Sequence, residues 1–66
     1  MDQLKNRFWT QYHELLNDIE IAGYYIEYAT DEYIIIQSKQ NNKLHRLYLG
    51  GAGNTMYIDR IEEERT

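Results

Sequence analysis

His13-Glu14-Leu15-Leu16-Asn17 comes within one residue of H-E-x-x-H. In that pattern two histidines one helical turn apart hold zinc while the glutamate activates a bound water. Asn17 stands where the second ligand belongs, and the other histidine, His45, is far along the chain. There is no cysteine, so thiolate ligands are excluded. No metal is expected, and His13 reads as a residue on a helix flank. Gly50-Gly51-Ala52-Gly53-Asn54 invites comparison with loops that cradle phosphate, which need a following helix and a positive charge. Here the loop leads into Thr55-Met56-Tyr57-Ile58, a strand-like run without lysine, so it reads as a hairpin connection. Ser38, Thr10, Thr30 and Thr55 have no evident base or orienting partner. Neither catalysis nor a cofactor is expected.

Binding chemistry is easier to find. Lys39, Lys43 and Arg46 gather in and after a polar turn and lie near Tyr33 and Tyr48. A basic hairpin with rings beside it could follow a nucleic-acid backbone and stack a base. Three firm charges are few for that task, and the chain carries a formal net charge of −4. Phosphate binding rests on an excess of Lys and Arg, so nucleic acid is the second reading. The acidic residues are spread over a helix, a turn and the C-terminal end. That spread argues against a phosphate-like row and for a solvated surface.

These residues need elements to position them. The centre of the chain is Glu32 to Leu49, EYIIIQSKQNNKLHRLYL, two strands joined by a polar turn. Before it, Leu4, Phe8, Tyr12, Leu15, Leu16 and Ile19 recur at steps of three and four, which predicts a helix over 3–21. Gly23 suits the residue after its C-terminus. From Tyr24 the period changes to two, and strands are predicted over 24–29, 33–38, 43–49 and 55–61. Asn41 and Asn42 suit the tight turn between the second and third. Residues 62–66, EEERT, read as a frayed acidic tail. The expected fold is α+β: one N-terminal helix packed on a three- to four-stranded antiparallel β-meander.

Sixty-six residues make one small domain. Ordering each costs about 1.5 kcal/mol, against a core that buries only about 60% of the unfolded surface. Self-association would add stability. No stretch approaches the roughly 18 apolar residues that span a bilayer, the N-terminus lacks a signal-peptide pattern, and a cytoplasmic location is the expectation. Eight isoleucines and seven tyrosines against three alanines, with no proline, match AT-rich codon usage. That suggests a low-GC bacterium, a phage or another mobile element.

Alternation sorts the sheet into two faces. Tyr24, Ile26, Tyr28, Ile34, Ile36, Leu47, Leu49, Met56 and Ile58 are expected to meet the helix. The opposite face then carries Tyr25, Glu27, Tyr33, Ile35, Gln37, Arg46, Tyr48, Tyr57 and Asp59, with no second layer to cover it. Tyrosine and arginine are enriched where interfaces concentrate their energy. The expectation is a protein-binding module, a regulator or inhibitor that uses Tyr25, Tyr33, Ile35, Arg46, Tyr48 and Tyr57, or a homodimer formed through the same face. The alternative is nucleic-acid binding by Lys39, Lys43 and Arg46.

Overall fold

A computed structural model describes residues 2–64. The chain is α+β, as expected, but it has five strands rather than three or four. The elements are α1 (Asp2–Lys5), β1 (Phe8–Trp9), α2 (Tyr12–Ile21), β2 (Tyr24–Ala29), β3 (Tyr33–Ser38), β4 (Leu44–Ala52) and β5 (Thr55–Glu64). All neighbours are antiparallel, in the order β1-β5-β4-β3-β2. Strands β2 to β5 form the meander, and β1 joins its far side.

The fifth strand comes from the segment expected to be the middle of one long helix. Phe8 and Trp9 leave the helical path and pair with Tyr57 and Met56. A continuous helix would keep Trp9 on the flank of its stripe. As a strand residue Trp9 is only 5% exposed and donates its indole N–H to Asp18 at 2.8 Å. Burying an indole with its polar atom partnered outweighs the few helical hydrogen bonds given up. Helix α2 restarts after Gln11, whose extended backbone (φ −131, ψ 138) marks the boundary.

The C-terminal half of the helix follows the sequence closely. It ends at Ile21, with Ala22 N–H bonded to Asp18 and Gly23 N–H to Glu20. Gly23 takes φ 101, a left-handed conformation that costs a glycine little. In the β3–β4 turn Asn42 takes φ 61, and Asn41 Oδ1 accepts the Lys43 N–H at 3.0 Å.

The core lies on one side of the sheet. Leu15 and Ile19 of α2 meet Ile34, Ile36, Leu47 and Ile58, with Leu4 and Trp9 closing the end. Each such side chain stabilises the fold by about 1.5–3 kcal/mol on burial. Tyr24, Ile26, Leu49, Met56 and Ile61 pack partly against them. Tyr12 fixes the start of α2 by donating its hydroxyl hydrogen to the Thr30 carbonyl.

Two further differences from expectation concern the end of the chain. Glu62 to Glu64 are not a tail but the end of β5, opposite Arg46, His45 and Leu44. Arg65 and Thr66, the rest of the expected tail, lie outside the described residues. Gly50, Gly51 and Ala52 belong to β4, so the loop shrinks to Gly53-Asn54, with Ala52 opposite Thr55. Gly50 leaves room for a ring. The Tyr57 ring lies across it, and an added Cβ would fall 2.6 Å from that ring.

Candidate partner-binding face

The side of the sheet turned away from α2 has no layer over it. Its composition follows from register, since residues paired across strands share a face. Tyr33, Tyr48 and Arg60 form one row; Tyr28, Ile35, Arg46 and Glu62 form the next. Beyond these lie Tyr25, Gln37, Leu44 and Glu64 in one direction, and Gly50, Tyr57 and Phe8 in the other. The expected anchors Tyr25, Tyr33, Ile35, Arg46, Tyr48 and Tyr57 therefore all lie on this one face.

Two β-bulges alter its membership. One lies between Ile26 and Tyr28, where Glu27 is the extra residue. It moves Tyr28 from the helix side, where alternation had put it, to the outer side opposite Ile35. There Tyr28 is 55% exposed, and its ring centroid is 6.0 Å from that of Tyr33. The other lies beside Tyr48, where Asp59 is the extra residue; it brings Arg60 outward and turns Ile61 toward the core. An inserted residue inverts the alternation beyond it, and nothing in the residue types announces where that happens. Phe8 joins this face for a different reason: its spacing fits the helical stripe, but it pairs with Tyr57 as part of β1. It stands 65% exposed, with its ring edge-on to Tyr57 at 5.8 Å.

Cations and rings alternate across the middle of the face. The Arg46 guanidinium lies 4.7 Å from the Tyr33 ring centroid and 6.0 Å from that of Tyr48. Arg60 covers Tyr48 at 4.2 Å. The order is thus Tyr33, Arg46, Tyr48, Arg60, with each guanidinium over a ring quadrupole that attracts it. Each arginine also has a carboxylate at ion-pair distance. Arg46 Nε pairs with Glu64, and Arg60 Nε lies 3.5 Å from Glu62. Partial burial alone would lower the Arg46 pKa, but Glu64 and Tyr48 outweigh it and hold it above the ordinary arginine value. Side chains fixed in this way lose less freedom when a partner arrives.

The basic hairpin is largely answered from within. Lys43 pairs with Glu63 at 3.8 Å, Arg46 pairs with Glu64, and Lys39 lies over the Tyr25 ring at 4.9 Å. The β3–β4 turn does sit at the C-terminal end of α2, where Lys39 N–H bonds to Gly23. Lys43 and Arg46, however, are met by β5, and Lys39 by Tyr25 of β2. Asp18, the acidic group nearest in sequence to that helix end apart from Glu20, is occupied by Arg7 at 3.4 Å and by Trp9. His13 is exposed on α2, while the His45 ring packs edge-on against Tyr24 at 6.2 Å. Among the described residues, no group of three or more His, Asp or Glu is placed to hold a metal, and no helix is long and apolar enough to cross a membrane.

Comparison of the chain with protein-family models, with curated proteins and with solved structures found no match.

Proposed function

We propose that the chain is a small cytoplasmic protein-binding module, a regulator or inhibitor of the kind phages and mobile elements encode. It captures its partner on the outer face of the sheet. The observation that supports this reading is the uncovered array of Tyr33, Arg46, Tyr48 and Arg60, ordered by ring stacking and by Glu62 and Glu64. Phe8, Tyr25 and Tyr28, each more than half exposed, extend its apolar margin on both sides. Exposed rings are features of contact surfaces, and tyrosine and arginine are the residues on which binding energy concentrates.

The test is a tagged pull-down from a low-GC bacterial lysate, run with and without nuclease, using the wild type and a Tyr33→Ala, Tyr48→Ala double variant. The reading expects one stoichiometric protein that survives nuclease and is lost with the folded double variant. Equal recovery by both would overturn it.

Nucleic-acid binding by Lys39, Lys43 and Arg46 is the second reading, and the stacking of Lys39 and Arg46 over tyrosine rings favours it. Against it stand the ion pair of Lys43 to Glu63 and the net charge of −4. It requires an affinity that falls steeply with salt. Recovery that disappears with nuclease would promote it.

A further inference from the structure

Both arginines of the outer face meet their glutamates at the same atom. Glu64 sits at Nε of Arg46, and Glu62 sits at Nε of Arg60. Among the described residues, the terminal nitrogens of Arg60 make no hydrogen bond, whereas the Arg46 guanidinium is within reach of the Tyr48 hydroxyl and Arg7 uses its own terminal nitrogen on Asp18. The Arg60 fork thus lies over the Tyr48 ring, with the Glu62 carboxylate at ion-pair distance behind it and its two outer nitrogens unspent. A guanidinium end of this kind matches a carboxylate in a bidentate geometry that an ammonium cannot reproduce.

We propose that the partner presents acidic side chains to the outer nitrogens of Arg60 and Arg46, set among apolar side chains that lie on Tyr28, Tyr33 and Tyr48. This rests on the protein-binding reading of the face and names the chemistry of the partner. A carboxylate fits better than a phosphate backbone. A chain of net charge −4 repels a polyanion as a whole, while one or two carboxylates need only local pairing. The side-chain exposure of the two arginines, 59% for Arg60 and 30% for Arg46, makes Arg60 the outer contact and Arg46 the inner one.

A displayed library of random linear peptides is selected on the wild-type protein. The enriched sequence is then synthesised and titrated against wild type, Arg60→Lys, Arg60→Gln and the Tyr33→Ala, Tyr48→Ala variant. Circular dichroism verifies each fold, and an oligothymidine strand is titrated in parallel. The expected result is a consensus containing Asp or Glu, with binding weakened roughly tenfold in both Arg60 variants. Loss in Arg60→Lys is the sharper outcome, because the charge is kept and only the fork is removed. A consensus without carboxylates that still needs Tyr33 and Tyr48 would overturn this proposal and leave the protein-binding reading standing. Failure to enrich any peptide, or enrichment indifferent to the tyrosines, would overturn both. Tighter binding of oligothymidine than of the peptide would replace both with the nucleic-acid reading.

Discussion

The indole N–H of Trp9 donates to Asp18 Oδ2 at 2.8 Å, and the same oxygen accepts Arg7 at 3.4 Å. One carboxylate on α2 thereby holds the segment that contributes the fifth strand. Asp18→Ala should cost about 1–2 kcal/mol, since it strands a nearly buried N–H and removes a charged acceptor. Asp18→Asn should cost less, because its amide oxygen can still accept from the indole. Urea unfolding followed by Trp9 fluorescence measures both. An Asp18→Ala variant as stable as wild type would mean that β1 is held by burial alone.

The Tyr57 ring lies across Gly50, so Gly50→Ala should destabilise by about 1 kcal/mol as the ring lifts. The ring's far end can swing, which keeps the cost modest. The Tyr57→Ala background removes the obstacle, and a double-mutant cycle should give a coupling of about 0.5–1 kcal/mol. Strict additivity would mean that the two residues do not touch in solution.

Ending the chain after Ile61 removes three register pairs and the carboxylate that holds Arg46. The loss should be about 1–2 kcal/mol, a fall of roughly 5–10 °C in Tm for a domain of this size. A frayed tail would be removed at no cost. Thermal melts of the two lengths decide between strand and tail.

Burial, and secondarily the charge of Asp31, raises the Tyr12 pKa above its ordinary value of 10.0. The unfolded chain then releases this proton near pH 10 while the folded chain retains it. This contribution to stability is full below pH 10 and declines as pH rises toward the folded pKa. Tyr12→Phe loses the bond to Thr30 at neutral pH but should show a shallower alkaline decline. Unfolding free energies across the alkaline range test this, and equal slopes for the two proteins would exclude Tyr12 as their source.

Much of this molecule is decided by local chemistry. The end of α2 at Gly23, the positive φ at Asn42, the bounds of β2 and β3, and the helix-facing set Ile34, Ile36, Leu47 and Ile58 follow from period and turn residues. The gathering of Tyr25, Tyr33, Ile35, Arg46, Tyr48 and Tyr57 on one face follows from the same alternation. Three features required the tertiary structure. Phe8 and Trp9 fit a helical stripe as well as a strand, and only the β5 edge together with Asp18 makes the strand better. Glu63 and Glu64 look solvated until Lys43, just before β4, and Arg46 on it give them partners. The bulges at Glu27 and Asp59 invert alternation without a local marker, and they bring Tyr28 and Arg60 to the outer face. Period and turn propensity act over a few residues, whereas edge pairing, cross-strand charge and bulge position depend on contacts far apart in the chain.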